Sequence, residues 1–543
     1  MELPEIRPEE RTPLVEALLA IIQFLLDRNQ QLEETVLQLR DEIAILKGQK
    51  PRPQIRPSRL EAASPPSQQA ASLKEGSAKR PGSEKRPKNS QLTIHRTITL
   101  HIDDLPPGAV LKGYEAYLVQ DLVIESQNTL YRRARYELLD GRSILARLPA
   151  DVLPGKHFGA TLIGYILHQY YNAGVTQGLL LQSLRDHGVD ISEGQLSLLL
   201  TEGHEAFHQE KDAVREAGLQ TASYINTDDT GARHQGRNGY CTVIGNDWFT
   251  CFESTDSKSR LNFLQVMHGS QRLYAIHEIT VAYWERQELA AATIEKLRRG
   301  PQSFADEAAW QAWLLAVGIT DKRQVRIATE GALLGGLVER GVSAKLSVLS
   351  DGAPQFDLFE HASCWVHAER PLLRMVPYHD AHRALIEQIR EQIWALYKDL
   401  KAYRQQPDPA QKPLLEARFD ALWNQKTDYP SINAVLKVIR DHKADLLRVL
   451  ERPEVPLHNN AAESDIREYV KKRKISGGTR SVAGRQCRDT FTSLKKTCRK
   501  LGVNFWNYLQ DRLRRLGNMP RLADLIRERA TTQRVPLGQA VPT

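Results

Sequence analysis

The sequence has no apolar run approaching the roughly 20 residues that span a bilayer. It opens Met-Glu-Leu-Pro-Glu, acidic where a secretory signal is basic and then apolar. A membrane-embedded or secreted protein is therefore not expected. Cysteine is scarce: Cys241, Cys251, Cys364, Cys487 and Cys498 are scattered among 543 residues with no CxxC pair. That excludes a disulfide scaffold and suits a reducing cytosol. No low-complexity class applies to the chain as a whole, because 41% hydrophobic and 26% charged residues describe a globular protein. The length allows about three or four domains.

Positive charge is present but unevenly placed. The net charge is +8. Residues 48–91 hold ten Lys/Arg against three Asp/Glu, and residues 471–500 hold eleven against one, so the remainder is net acidic. Two basic segments on an acidic body point to a polyanionic partner. The alternative is a solvated tail and a solvated helix face.

Residues 1–47 carry a heptad repeat. Leu18, Leu25, Leu32, Leu39 and Leu46 fall at d, and Ile22, Asn29, Val36 and Ile43 at a. Leu at d with β-branched residues at a favours a parallel two-stranded coil, and one Asn at a sets its register. The segment is read as a dimerisation zipper. Residues 48–92 are rich in Pro, Ser, Gln and Lys/Arg and cannot bury enough apolar area to order, so they form a basic flexible linker. Residues 93–150 alternate over 93–102 and 117–124 and predict a small β-rich module. Residues 151–219 are helical. A helix from about 175 to Gly188, then Ser192 capping a second helix, is compatible with a DNA-binding helix-turn-helix or with an ordinary helical hairpin.

Three strands follow at 223–228, 240–245 and 248–254, then a helix at 257–267. A further strand, 344–350, comes after a mostly helical stretch, and a late helix spans 461–472. This element order is that of an RNase H-like catalytic core (220–475) with large helical insertions, closed by a basic helical region, 476–543. The predicted architecture is multidomain α/β, with the coiled coil and β-rich module ahead of the core. Asp228 ends the first strand, Asp351 ends the fourth and Glu463 lies in the first turn of the late helix. Metal-assisted phosphodiester chemistry needs hard oxygen ligands from separate elements around two Mg²⁺ ions. Only one of Asp228 and Asp229 can face them, since strand side chains alternate. Each acid also has a local reading: a strand-ending turn for Asp228-Asp229-Thr230, a turn pair for Asp351-Gly352, and a capping box for Asn460-x-x-Glu463.

Three stretches resemble one family. Tyr224-Ile225-Asn226-Thr227-Asp228-Asp229-Thr230 is similar to the Asp-Glu-Thr block of the insertion-sequence-66 family of bacterial DDE transposases. Ser350-Asp351-Gly352, followed by Cys364-Trp365-Val366-His367-Ala368-Glu369-Arg370, resembles its Asp-Gly and Cys-Trp-Ala-His-x-Arg stretch. Asn459-Asn460-Ala461-Ala462-Glu463-Ser464-Asp465-Ile466-Arg467 resembles its Asn-Asn-x-Ala-Glu-x-x-x-Arg block, and the basic Lys472-Arg473-Lys474 and Gly477-Gly478-Thr479-Arg480-Ser481 tail follows as in the family. The resemblance implies a transposase that cleaves and joins double-stranded DNA at element ends. Asp228, Asp351 and Glu463 would hold two Mg²⁺ ions, with Mn²⁺ able to substitute. Arg467, Lys472, Arg473, Lys474, Arg480 and Arg485 would contact DNA. It further implies a homodimer, accessory transposition proteins as further partners, and a bacterial cytoplasmic, nucleoid-associated setting. Two departures stand out. Residues 93–150 lack the cysteines of the family's zinc module, and a helical insertion over 270–343 lengthens the interval between Asp228 and Asp351.

Cys364, His367, His379 and His382 offer zinc-type ligands as well. Gly477, Gly478 and Gly484 lie among arginines and suit a loop that approaches phosphate closely. The competing function is a non-catalytic dimeric DNA-binding regulator, which would have no use for the acidic triad.

Overall fold

The computed structural model describes residues 93–104, 108, 109, 111–149, 152, 157–377 and 379–534, together with Val15 and Arg28. The zipper positions Leu18, Ile22, Leu25, Asn29, Leu32, Val36 and Leu39 and the linker 48–92 lie outside those residues.

The chain divides into two units, Ile55–Thr129 and the remainder. In the first, every described residue is exposed and none lies in a strand or helix. The strands expected over 93–102 and 117–124 are therefore not there. Alternation makes a strand only where one face meets a core and one edge meets a partner. Ile94, Leu100, Val119 and Leu122 are all more than half exposed and are not part of a core. Within 93–150 the described strand pair is the short hairpin of β1 (Arg135–Glu137) and β2 (Ser143–Leu145).

Past that hairpin the larger unit continues in helices. α1 (Ala160–Leu167) runs into a π-helical turn, His168–Ala173, and α2 (Gln177–Asp186), α3 (Glu193–Thr201) and α4 (Glu205–Thr221) follow. Gly188 turns the chain at φ +76°, a conformation that favours glycine. Ser192 and Gln195 form a reciprocal capping box at the start of α3. The expected pair of helices about a glycine turn is present.

A five-stranded mixed sheet forms the centre. Its strands are β3 (Tyr224–His234), β4 (Arg237–Gly245), β5 (Thr250–Thr255), β8 (Ser347–Ser350) and β9 (Glu360–Ser363), in the order β5-β4-β3-β8-β9. β3, β4 and β5 pair antiparallel, while β3, β8 and β9 pair parallel. This mixed α/β architecture is consistent with an RNase H-like core. β3 runs six residues past Asp228, because Gln235 and Gly236 both take positive φ (49° and 77°) and close a two-residue hairpin. β9 escaped the sequence reading: Glu-His-Ala-Ser has neither alternation nor β-branched residues.

Between β5 and β8 lie α5 (Arg260–His268), β6 (Tyr274–Ala275), α6 (Glu278–Arg286), α7 (Ala291–Arg298), β7 (Ser303–Phe304), α8 (Glu307–Ala316) and α9 (Lys322–Glu339). This insertion is not a separate lobe. Trp284, Trp310 and Leu333 join Ile225 and Ile244 of the sheet and Phe249 of the β4–β5 turn in one hydrophobic core. After β9 come α10 (Trp365–Arg374), α11 (Asp380–Gln405), α12 (Lys412–Trp423), α13 (Pro430–Asp441) and the single turns α14 (Lys443–Leu446) and α15 (Arg448–Glu451), which build a second helical core. The chain returns in α16 (Asn460–Ser476), α17 (Val482–Lys500), α18 (Phe505–Arg514) and α19 (Leu522–Arg534). α16 packs on the sheet face opposite the main core, with Ala462, Ile466 and Tyr469 against Cys241, Val243 and Phe252. No described helix is long and apolar enough to cross a membrane.

α17 covers the free edge of the sheet. Asp489, Ser493 and Thr497, spaced four apart on one helix face, accept the N–H groups of Ser254 (2.8 Å), Phe252 (2.8 Å) and Thr250 (3.1 Å). An edge strand left bare would offer those donors to another chain.

Candidate active site

The register of the sheet decides which acid faces which way. In the parallel pair, Asn226 lies opposite Leu349. Two residues on, past the end of pairing, come Asp228 and Asp351, which by alternation share that face. Across the antiparallel pair Asp228 stands opposite Val243, and Val243 packs under α16. Asp228 therefore faces the helix that carries Glu463. Asp229 turns to the other side, where its nearly buried carboxylate pairs with Lys258 and accepts from Gln355 Nε2 at 2.9 Å.

Asp228 feels the charge of both other acids. Burial, reinforced by the charges of Asp351, Asp229 and Glu463, pushes the Asp228 carboxyl up to about 6, against the pull of the Asp229 N–H on its Oδ1. Asp351 is exposed and accepts the Ala353 N–H at 3.1 Å. Behind it, Ser350 Oγ meets His361 Nε2 at 2.9 Å, and His361 Nδ1 meets Asp445 at 3.0 Å, which braces the end of β8. Glu463 Oε1 is buried without a hydrogen bond. His367 Nδ1 and Arg370 stand 3.6 and 3.8 Å from it, and Arg467 is 3.7 Å from Oε2. Arg370 must be the donor to His367 Nε2 at 2.8 Å, since arginine has no acceptor. A neutral His367 thus carries its proton on Nδ1, towards Glu463. Burial and then the charge of Arg370 hold this histidine below its usual range, with Glu463 and Asp351 opposing.

What seats Glu463 is a buried clamp. α16 begins at Asn460 with Asn459 as its cap residue, but the Asn459 side chain makes no cap bond. It accepts from Asn226 Nδ2 (2.9 Å) and donates to Thr227 O (2.8 Å), while its own N–H reaches Cys364 Sγ (3.2 Å). The capping-box reading of Asn460 and Glu463 is therefore replaced by one in which the paired asparagines tie helix to strand. Cys364 is a buried partner of that clamp, its thiol raised chiefly by burial. Among the described residues no three His, Cys, Asp or Glu side chains converge closely enough to hold an ion as they stand. That applies to the acidic triad and to the Cys364, His367, His379 and His382 set alike. Asp351 and Glu463 are turned to their local partners. The donor set of the acids nevertheless suits a divalent cation. It is all carboxylate oxygen, the choice of hard ions, and it includes one orphaned buried oxygen and one carboxyl raised first by burial and then by its like-charged neighbours.

The basic segment is largely consumed inside the fold. Lys495, Lys496 and Arg499 pair with Glu468, and Lys496 and Lys500 pair with Asp465. Arg485 pairs with Asp256 at 2.9 Å, and Arg473 reaches Thr230 Oγ1 at 3.4 Å. Lys472, expected on DNA, is buried: its ammonium donates to Tyr170 O (2.6 Å) and lies over the Tyr170 ring. Helical periodicity turns it inward, one turn beyond Glu468. Lys471, Lys474 and Arg480 stay exposed, and Arg467 stands exposed at the mouth of the site. The glycines have a geometric task that differs from the phosphate approach expected of them. Gly477 ends α16 at φ +68°, and a Cβ on Gly478 would sit 2.6 Å from Arg233 O, so only glycine lets this loop dock on the β3–β4 hairpin. His367, Arg370, Asn226 and Asn459 were not assigned roles at the site from sequence, although His367 and Arg370 are spaced three apart and so share a helix face.

Two comparisons fit this geometry. The family profile described as Transposase IS66 family matches residues 353–487, a span that holds Glu463 but neither aspartate. An uncharacterized protein, y4jO, of Sinorhizobium fredii (strain NBRC 101917 / NGR234) is 40% identical over 300 residues, covering 55% of this chain and 94% of that protein. The chain belongs to the IS66 transposase family.

Proposed function

We propose that this protein binds the ends of an insertion sequence and catalyses DNA strand cleavage and strand transfer. What supports this reading is that the charges of Asp351, just past β8, and of Glu463, on the helix packed over that sheet face, both act on Asp228 at β3. These three residues would hold two Mg²⁺ ions, or Mn²⁺ in their place. When bound, the ions would favour the attacking oxygen and stabilise the leaving one. The chain's own groups do the rest. The asparagine clamp fixes the start of α16 against β3, and His367 and Arg370 stand beside the inner oxygen of Glu463 without hydrogen-bonding it, which leaves that oxygen open to a cation. Arg467 lends positive charge at the mouth, where a phosphodiester would enter. The exposed Lys471, Lys474 and Arg480 supply backbone contacts that position DNA without reading its bases. The heptads of residues 1–47 would join two copies, so that both element ends can be held together, and accessory transposition proteins would act alongside. Such a protein would work in the bacterial cytoplasm at the nucleoid.

The test is cleavage and joining of DNA carrying the element's own ends, with Mg²⁺ supplied or withheld. Asp228→Asn, Asp351→Asn and Glu463→Gln should each abolish both steps while end binding persists, because an amide keeps the shape of the carboxylate but not the anion. Asp229→Asn should cleave. Full activity in all four variants would leave a DNA-binding regulator as the better account.

A further inference from the structure

A groove of about 700 Å³ lies between the first turn of α3 and the loop that joins α16 to α17. Gly194 and Ser197 line one wall, and Gly478, Arg480 and Ser481 line the other, with Arg488 inside. Arg488 is only 5% exposed, and one nitrogen of its guanidinium donates to Gly477 O at 2.9 Å. Next to it sits Lys472, 8% exposed, which meets the Tyr170 carbonyl and ring. Among the described residues neither cation has a carboxylate in ion-pair range, although five neighbouring cations of this segment do. A buried guanidinium without a counter-charge is costly, and an anion entering the groove would relieve Arg488 and ease the positive potential that also acts on Lys472.

The rest of the wall suits the same ligand. α17 is a helix of 19 residues that begins at the groove, where Ser481 accepts the Gly484 N–H at 3.0 Å. The N–H groups of Val482 and Ala483 have no acceptor within their own helix, and helix N-termini of this kind favour anions. Exposed Arg480 adds a second guanidinium to the groove. The single carboxylate lining the groove, Glu193, is exposed at its mouth and screened there by solvent.

We propose that this groove receives an unpaired DNA nucleotide, whose phosphate is held by Arg488, Arg480 and the amino end of α17. The inference rests on the DNA-binding reading above and deepens it. A duplex suits the cleft less well, because its phosphates lie on a stiff outer backbone while Arg488 is nine-tenths buried. An extruded nucleotide or a frayed single strand can reach it. Gln177 and Ser197, also on the wall, offer hydrogen bonds to a base edge. The α2–α3 pair then acts as one jaw of a single-strand site, in place of a helix-turn-helix reading duplex.

Gly194 allows a clean test. A Cβ there meets nothing within 4 Å, so a side chain enters the groove without disturbing the core. Aspartate in the first turn of a helix is also well tolerated. The full-length protein, Gly194→Asp and Gly194→Trp would be titrated against labelled oligothymidylate and against a duplex of equal length, with thermal melting as the folding control. Both variants should melt like the parent and bind oligothymidylate about tenfold or more weakly, the scale of one charge-assisted phosphate contact, while duplex affinity changes far less. Undiminished oligothymidylate binding by both variants would overturn the groove assignment alone. Equal losses for both DNAs would overturn it too, making the groove a duplex contact. A parent protein that binds neither DNA would overturn the DNA-binding reading together with the groove.

Discussion

Replacing Asn459 with alanine should unseat Glu463 without touching it. The residue is fully buried, and its amide is the link between α16 and β3, at 2.9 Å from Asn226 and 2.8 Å from Thr227 O. Both partners stay behind in the variant. Each abandoned buried polar group costs about 1–3 kcal/mol, so docking of the helix start should weaken by roughly 2–6 kcal/mol, with the lower half favoured because Thr227 O keeps a second lone pair. Unfolding of the whole chain is a poor measure, since a multidomain protein need not melt in two states. Hydrogen exchange reads the local opening directly. The Glu463 N–H donates to Asn459 O at 3.1 Å, and its exchange should accelerate about 30-fold or more, as roughly 2 kcal/mol demands. DNA cleavage should fall while DNA binding holds. Asn226→Ala should reproduce much of the loss, and the double variant should be less than additive, because the two side chains share one bond. An amide at Glu463 that exchanges within about fivefold of the parent rate, roughly 1 kcal/mol, would mean that packing under Ala462 and Ile466 seats the helix and the clamp does not.

Other consequences can be checked separately. Lys471→Gln with Lys474→Gln should lower the slope of log affinity against log salt by about two units, near 0.9 for each lost phosphate contact, whereas Lys496→Gln with Lys500→Gln should leave the slope alone and lower the melting temperature. Although burial opposes it, Lys495 and Lys496 pull Glu468 down to about 2. A depressed carboxylate stabilises the fold fully above its unfolded value of 4.5 and loses that contribution as pH falls from there towards 2, about 3 kcal/mol in all. Glu468→Gln should flatten acid denaturation in that window, and an unchanged acid limb would discount the network. Burial, then the charges of Arg488 and Lys495, hold Lys472 down to about 7. Its native state prefers the neutral amine, so its share of stability grows as pH rises from about 7 towards the unfolded value of 10.5 and is lost as pH falls back through 7; Lys472→Met should remove that dependence from a pH series of melts. In the N-terminal heptads, Asn29→Leu should raise coil stability while loosening the choice of oligomer, and a peptide of 1–47 that sediments as a monomer at tens of micromolar (a rough working range) would end the zipper reading.

Local signals were the ones that could be read directly. The Ser192 cap with its Gln195 partner, the glycine turn before it and the order of strands and helices around the acids depend on residues a few positions apart, and all are present. The separation of Asp228 from Asp229 followed from a two-residue period alone. Failures came where a local pattern lacked a partner or where a polar segment had one. The alternating residues of 93–102 and 117–124 form no strand. β9, with no pattern of its own, is a strand because β8 supplies a ladder. The basic run 471–500 looked like one DNA-facing surface. Helical geometry instead divides it, sending Lys472 and Arg488 inward, giving five cations to Glu468, Asp465 and Asp256, and leaving few exposed.

The sequence by itself determined the chemistry that is available: three carboxylates at the right elements, a surplus of cations near the C-terminus and the asparagine and glycine positions of the late motifs. Tertiary structure alone decided how that chemistry is distributed. Asn226 and Asn459 are 233 residues apart, and the acceptors that silence most of the lysines lie on another helix. Whether a charge is spent inside the fold or offered to DNA depends on which elements pack together, and no period within one element carries that information.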